Sequence, residues 1–219
     1  DDQIIELTGK INALRKEGAI SIFWDDLFLF EAYLSISSGI RKHNLRFPDF
    51  SEKTFRLTGL YHPLLAGPVR NDLNAERSVT VLNGPNMSGK STFLKAVGIC
   101  VYLGHLGLGI PASDGTIPFF DHIFVAINRT DDLQNGYSHF MTEIVNLKRV
   151  VESAANGKKC FAVFDEIFSG TNVEDGVEIC KTTVNGLSRF AGSYFFISTH
   201  MQGLRSDSKG HVGNYYMNW

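Results

Sequence analysis

The stretch VLNGPNMSGKSTFLKA, residues 81–96, constrains the fold of this chain more than any other part of its sequence. An apolar strand runs into a glycine-rich turn, and a helix-like segment follows at once. Residues Gly84 to Ser91 match the pattern G-x-x-x-x-G-K-[ST], in which backbone N–H groups and a helix N-terminus converge on phosphate oxygens. We therefore predict a strand–turn–helix unit that binds phosphate, in preference to a glycine turn with a purely structural role.

The residue types within this loop predict separate tasks. Lys90 is expected to neutralise the β- and γ-phosphates of a nucleotide, and the Ser91 hydroxyl is expected to complete a Mg²⁺ shell. The sequence thus predicts ATP and Mg²⁺ as ligands. The nucleotide-binding residues that we predict here are Gly84, Pro85, Asn86, Met87, Ser88, Gly89, Lys90, Ser91 and Thr92.

A second acidic element follows in the stretch CFAVFDEIFSG, residues 160–170. Asp165 and Glu166 come directly after an apolar run that is typical of a buried strand, and the carboxyl ends of parallel strands face the ligand crevice. We expect Asp165 to face the metal and Glu166 to orient or deprotonate a water molecule. The pair could instead cap a helix, but beside a phosphate loop it favours hydrolysis over phosphoryl transfer to another substrate.

The next apolar run ends in ISTH, which places Thr199 and His200 at the equivalent sheet edge. A histidine after a strand is often structural, but its register, one strand past the acidic pair, makes a γ-phosphate contact by His200 plausible.

The pattern along the chain divides it into a helical segment and an α/β segment. Two amphipathic helices are predicted before Pro48, one over the first 17 residues and one over residues 21–40, separated by Gly18. The spacing of the aromatic residues in the second helix favours a buried face over a surface that stacks on nucleic acid. Strand-like and helix-like runs then alternate, which indicates parallel βαβ units. Helices are predicted over about 90–104, 140–155 and 173–190, and the second of these has Ile144, Leu147, Val151 and Ala154 on one face. We therefore predict a helical connector over 1–48 and an α/β domain over 49–219.

Composition narrows the class of protein. The formal net charge of -2 over 219 residues gives no electrostatic reason for avid binding to nucleic acid or to a membrane surface. Cys100, Cys160 and Cys180 lack metal-ligand spacing and are interpreted as reduced packing residues of an intracellular protein. No secretory signal is visible, and the stretch 96–112 is better explained as a buried helix and turn than as a membrane segment. We expect a cytoplasmic protein, associated with the nucleoid in a bacterium.

The motifs GPNMSGKST, VFDEIFSGTN and STH, with DDLQNGYSHFMTEI between them, resemble the ATPase domain of the DNA mismatch-repair MutS family. The similarity runs from about Tyr61 to His200. It implies an α/β fold of the P-loop NTPase type in the ABC-ATPase class, with a mixed or parallel sheet flanked by helices and preceded by lever-type helices. It also implies that the family continues through further strands beyond Trp219, so we expect the domain over 49–219 to be incomplete.

The resemblance carries roles to particular residues. It implies that Asp165 is the Mg²⁺-side carboxylate, Glu166 the catalytic one and His200 a switch histidine. The family has a comparable His-Pro pair near the adenine, so Tyr61 and His62 could lie near the base or could simply pack at a strand end. We predict His62 as a nucleotide contact and leave the packing alternative open. Ser138 matches the signature serine, which in this family reaches the γ-phosphate bound to the opposite subunit, and Gly170 and Thr171 match a loop that crosses the dimer interface. The expected partner is therefore a second copy, in a homodimer, or a MutS-like heterodimer partner, with half of each ATP site supplied in trans.

The chain departs from the family pattern at four places. Ser88 stands where the family has glycine, Tyr137 and His139 replace an arginine and a threonine, Phe168 and Ser169 replace glycine and arginine, and Pro68 and Val69 stand where an adenine-contacting aromatic residue is common. A mismatch-reading Phe-x-Glu domain and a basic stripe are not visible. We expect mismatched or branched DNA to be bound only through regions absent from this chain.

The sequence leaves one alternative to an ATP-hydrolysing dimer open and argues against another. A nucleotide-binding switch or scaffold with negligible turnover stays open, because the signature is altered. The ATPase subunit of a transporter would need a Leu-Ser-Gly-Gly signature before the acidic strand, and the sequence has none.

Overall fold

The computed structural model of this chain describes residues 2–16, 18–85, 87–127, 139–168, 172–199 and 212–216. The chain divides into two compact units, Asp1–Asn44 and Leu45–Trp219. Among the described residues, no helix is both long enough and apolar enough to cross a membrane.

The first unit consists of two helices, α1 (Asp2–Lys16) and α2 (Ala19–His43). Gly18 separates them at the predicted position and adopts a left-handed conformation, with φ 75°. Helix α2 ends at Asn44, whose φ is 50° and whose N–H donates to the last carbonyls of the helix. The helix therefore ends before Pro48, the stop that the sequence predicts.

The predicted buried face of α2 is not found in the structure. No described side chain of α1 or α2 is buried, and Phe23 and Phe30 are 60% and 59% exposed. Helical spacing predicts which side chains share a face, but a face becomes buried only where another element covers it. The expectation of a buried face was wrong for the chain as described.

The second unit contains nine strands and three helices within the described residues. The strands are β1 (Asp49–Phe50), β2 (Arg56–Leu60), β3 (Asn71–Asn74), β4 (Val79–Asn83), β5 (Asp114–Ile117), β6 (His122–Ala126), β7 (Cys160–Phe164), β8 (Tyr194–Thr199) and β9 (Val212–Tyr216). The helices are α3 (Lys90–His105), α4 (His139–Ala155) and α5 (Val173–Leu187).

The larger sheet has five strands in the order β6-β7-β8-β4-β9, and every neighbouring pair is parallel. This confirms the α/β arrangement that the alternating pattern predicts. Alternate side chains of β7 pack into two hydrophobic cores, one on each face of the larger sheet. Phe161 and Val163 pack with α3 on one face, whereas Ala162 and Phe164 pack with α4 and α5 on the other. A strand buried on both faces needs the continuous apolar sequence CFAVF.

The smaller sheet has four strands in the order β1-β5-β2-β3, with parallel and antiparallel pairs. Its buried side chains join the core on the α3 side of the larger sheet, and they include Leu57, Leu60, Leu73 and Ile117. Strand β3 was not predicted, because the stretch NDLN has a single apolar residue and no apolar–polar alternation.

The helix boundaries agree with the predictions to within a few residues. Helix α3 begins at Lys90 and α4 ends at Ala155, as expected, whereas α5 ends at Leu187, before the predicted Phe190. In α4, Val150 is fully buried, whereas the predicted core residue Val151 is 37% exposed. The buried face of α4 is thus rotated slightly from the one that the sequence suggested.

Candidate functional site

The loop after β4 and the turn after β7 lie at the same edge of the larger sheet. Strand β8 pairs in parallel with both β4 and β7, so the three strands end together with β8 in the middle. Asn83, the last residue of β4, is paired with Thr199, and Phe164, the last residue of β7, is paired with Ile197. The sheet thus brings the loop with Lys90 and the turn with Asp165 and Glu166 to one crevice.

Among the described residues of the phosphate loop, Gly89 and Met87 adopt left-handed conformations between β4 and α3. Gly89, the N-cap of α3, has φ 87°, and a Cβ atom there would meet nothing within 4 Å. Backbone conformation, not lack of space, therefore requires glycine at this position. Met87 has φ 66°, and its side chain is 89% exposed. A methionine in this region costs on the order of 1 kcal/mol, which the rest of the loop must offset.

The side chain of Lys90 folds back onto the loop between β4 and α3, which is predicted to bind phosphate. Its residue is only 4% exposed, and its Nζ donates to the carbonyl oxygens of Gly84 at 2.8 Å and Pro85 at 2.9 Å. A buried ammonium group must be hydrogen-bonded, and here two backbone carbonyls meet that need. These carbonyls are neutral, so a phosphate oxygen would be a stronger acceptor for the same ammonium group.

Three residues close to Lys90 carry hydroxyl groups: Ser88 before it, and Ser91 and Thr92 after it. Ser91 is half-buried and Thr92 is exposed in the first turn of α3, where free N–H groups favour an anion. The Oγ of Ser88 is buried and has no hydrogen-bond partner within the described part of the chain. Ser88 also lines a cavity next to the loop. A polar ligand in that cavity would supply the acceptor or donor that the hydroxyl lacks, so the site is chemically suited to a nucleotide.

The acidic turn is held by hydrogen bonds from neighbouring strands. The N–H of Asp165 donates to the carbonyl of Ala126 in β6 at 3.1 Å. The Ser198 hydroxyl donates to Asp165 Oδ1 at 2.5 Å and accepts from the N–H of Glu166 at 2.8 Å. Glu166 has φ 53°, a left-handed conformation that is uncommon for a residue with a side chain. Both residues are half-buried, so neither is fully removed from solvent.

Glu143 is a residue of this site to which the sequence analysis assigned no role. It is only 5% exposed in α4, and its Oε2 accepts a hydrogen bond of 2.6 Å from the N–H of Phe168. The signal was present, since Glu143 lies in the SHFMTEI motif and a glutamate is rarely buried without a reason. Pattern alone could not identify its partner, which is 25 residues away.

A cavity of about 370 Å³ adjoins the phosphate loop. One of the residues that line it is His62, a predicted nucleotide contact. The Nδ1 of His62 accepts a long hydrogen bond of 3.4 Å from the N–H of Leu64. The neighbouring Tyr61 is 8% exposed, and the Arg70 guanidinium lies 4.5 Å from its ring centroid. The cavity is lined mainly by apolar side chains, among them Leu60, Tyr61, Val69, Met87, Phe93 and Ala96. Such a lining suits a flat aromatic ligand.

Several predicted site residues lie outside the described residues, so their positions are not assigned. These are Asn86, Ser138, Gly170, Thr171 and His200.

The three cysteines lie in the hydrophobic interior. Cys100, Cys160 and Cys180 are free and buried, as the sequence analysis expected of packing residues. Burial raises the pKa of the Cys100 thiol from 9.0 to about 12 and that of Cys180 to about 11, because a thiolate is poorly solvated there. Neither of these two thiols has the lowered pKa of a reactive nucleophile.

Comparison with known proteins places these features in a family. A family model described as MutS domain V matches residues 80–218. The DNA mismatch repair protein MutS of Natronomonas pharaonis is 34% identical over 163 residues, which cover 69% of this chain and 19% of that protein. The protein of the same name from Thermotoga maritima is 33% identical over 186 residues, which cover 82% of this chain and 23% of that protein.

The chain spans about a fifth of the length of the curated relatives that it matches. The family match covers more than half of the chain and includes both elements of the crevice, the phosphate loop and the acidic turn. On these grounds the chain belongs to the MutS domain V family.

Proposed function

We propose that this chain binds ATP with Mg²⁺ and hydrolyses it, as the nucleotide-gated, dimerising motor domain of a MutS-like DNA mismatch-repair or DNA-processing protein. The observation that supports this most is the meeting of Lys90 with Asp165 and Glu166 at one edge of a parallel sheet. The order of the motifs along the chain further supports a P-loop NTPase of the ABC class.

Phosphate binding uses the loop and the start of α3. The N–H groups of residues 87–89 and of the first turn of α3 are proposed to converge on the phosphate oxygens. Lys90 exchanges the carbonyls of Gly84 and Pro85 for oxygens of the β- and γ-phosphates, which replaces two neutral acceptors with charged ones. The Ser88 hydroxyl gains a partner in the same step.

Ser91 and Asp165 are the residues that would hold Mg²⁺, since a hydroxyl and a carboxylate are the oxygen ligands that this cation prefers. When bound, the cation neutralises negative charge on the β- and γ-phosphates. Ser198 keeps Asp165 oriented through its hydrogen bond to Oδ1.

Hydrolysis uses Glu166 as the group that orients a water molecule and accepts its proton. The water oxygen attacks the γ-phosphorus as the bond to the β–γ bridging oxygen breaks, which gives ADP and phosphate. His200 is proposed to contact the γ-phosphate, and Lys90 stabilises the charge that develops on it. The cavity beside Tyr61 and His62 is proposed to receive the adenine base.

The complete site requires a partner. Ser138 of a second copy, or of a MutS-like heterodimer partner, is proposed to reach the γ-phosphate in trans. Contacts from both subunits that form only with ATP would favour a closed dimer, because the nucleotide binds that state more tightly. DNA is proposed to be bound through regions outside this chain, in a cytoplasmic protein.

The test compares ATP hydrolysis by the wild-type chain and by Glu166→Gln over a range of protein concentrations. We expect wild-type turnover per subunit to rise with concentration and the variant to lose about 100-fold or more, with ATP binding retained. Lys90→Ala is the control that should lose binding itself. Wild-type turnover as slow as that of Glu166→Gln at every concentration, with ATP still bound, would instead establish a nucleotide-binding switch or scaffold with negligible hydrolysis.

A further inference from the structure

The turn that follows β7 is conformationally unusual. Glu166 has φ 53° and Phe168 has φ 62°, so two of its residues with side chains occupy the left-handed region that favours glycine. Such conformations cost free energy and persist only where the surrounding structure holds them. The question is therefore which groups hold this turn.

One holding group is Glu143 in α4. Its buried carboxylate accepts the hydrogen bond from the N–H of Phe168, and the Phe168 ring is fully buried with its centroid 6.0 Å from that of Phe140. At 2.6 Å this N–H···O hydrogen bond is at the short end of the usual range. Glu143 thus ties the end of the turn to helix α4.

The other holding group is Ser198 in β8, which is fully buried. Its hydroxyl group makes two hydrogen bonds to the turn: it accepts one from the N–H of Glu166 and donates one to Asp165 Oδ1. Ser198 thus ties the start of the turn to the strand that separates β7 from β4.

We propose that Glu143 and Ser198 are positioning residues that clamp the turn of residues 165–168 from both ends, so that the Glu166 carboxylate is held in one direction. This inference rests on the proposed role of Glu166 in hydrolysis. The clamp also connects Glu166 to α4, which begins directly after Ser138 in the sequence, and to β8, which directly precedes His200. A shift of either element would therefore move the catalytic carboxylate.

The kinetic test compares Glu143→Ala, Glu143→Gln and Val150→Ala in the 219-residue chain. Glu143→Ala removes the acceptor for the Phe168 N–H, and we expect kcat to fall by about tenfold or more, because small displacements of a catalytic group have large effects. The Kd for ATP should stay within about twofold, since Lys90 and its loop are not touched. Glu143→Gln keeps an acceptor oxygen at the same distance along the side chain and should retain most of the activity.

Val150→Ala is the matched control, because Val150 is fully buried in the same helix and its aliphatic side chain cannot form a hydrogen bond to the turn. All variants are assayed well below their own melting temperatures. An equal loss of kcat in Val150→Ala and Glu143→Ala would overturn the proposal, since general loosening of α4 would then explain both.

A second measurement does not depend on hydrolysis. Amide hydrogen exchange at Phe168, followed by NMR, should be slow in the wild type and in Glu143→Gln and faster in Glu143→Ala. The Glu166 amide should respond in the same way to Ser198→Ala. If the wild type hydrolyses no ATP, the proposed function fails, while these exchange rates still decide whether the clamp holds the turn. Unchanged exchange at Phe168 in Glu143→Ala would refute the clamp even in an active enzyme.

Discussion

Replacing Ser88 with alanine should stabilise the nucleotide-free protein but not the nucleotide-bound protein. The Ser88 hydroxyl is buried and has no partner among the described residues. A buried hydroxyl without a hydrogen bond costs about 1 kcal/mol or more relative to an apolar group of similar shape. Ser88→Ala should therefore stabilise the nucleotide-free chain by about 1 kcal/mol. For a unit of this size, that raises the melting temperature by about 2–4 °C.

With ATP bound, the advantage should disappear. Ser88 lines the cavity beside the phosphate loop, so a bound nucleotide can supply the missing partner. The variant would forgo one hydrogen bond of about 1 kcal/mol, and its Kd for ATP should be about fivefold weaker than that of the wild type. Calorimetric melting with and without ATP, together with titration of a slowly hydrolysed ATP analogue, measures both effects.

Ser198→Ala is the matched control for this experiment. Its hydroxyl has two partners, Asp165 and Glu166, and its removal leaves both of them short of a hydrogen bond. The free chain should then melt at a lower temperature, the opposite sign from Ser88→Ala. A lower melting temperature for nucleotide-free Ser88→Ala would refute the reasoning, because the hydroxyl would then have a partner already. An unchanged Kd for the analogue would show that the hydroxyl does not face the nucleotide.

Two further predictions concern stability alone. Gly98→Ala in α3 should raise the free energy of unfolding by about 0.5–1 kcal/mol in chemical denaturation, because alanine favours the helix and the nearest atom to the new Cβ is Val125 Cγ2 at 3.8 Å. Gly104→Ala should not raise the free energy of unfolding, because its Cβ would lie 2.6 Å from Ile117 Cδ1 and 3.1 Å from Pro48 Cγ. Equal gains in stability at both sites would contradict this packing. The folded-state pKa of Cys100 is raised from 9.0 to about 12, so above pH 9 the unfolded chain binds fewer protons than the folded chain. The free energy of unfolding should therefore fall between pH 9 and 12, by at most about 1.4 kcal/mol per pH unit for this thiol. Cys100→Ala should flatten that slope, and an identical slope would show that other groups cause it.

Local sequence was sufficient for the strand–turn–helix unit and for most of the larger sheet. Gly89 adopts a left-handed φ that favours glycine, and helix α3 begins at the next residue, Lys90. The conformation of the phosphate loop is therefore encoded by residues that are neighbours in the sequence. The strand CFAVF is apolar throughout because both of its faces are covered, and such a run is visible without knowing what covers it.

Local sequence was insufficient where burial depends on other elements. The strand with Leu73 belongs to a small mixed sheet whose pairing joins residues far apart in the chain. Phe23 and Phe30 have the spacing of a buried helical face but are exposed, because spacing carries no information about a covering element. The same limit explains why Val150, not Val151, is the fully buried residue of its helix turn.

The sequence by itself determined which residues are available for the proposed chemistry: Lys90 and Ser91 in a glycine-rich loop, and the acid pair Asp165 and Glu166 after an apolar strand. These are short-range features, encoded by glycine conformation and by hydrophobic runs. Only the tertiary structure decided how the acid pair is held, because Glu143 and Ser198 lie 25 and 32 residues from the backbone N–H groups that they bind. Buried hydrogen bonds of that range form only when packing excludes water and brings their partners together.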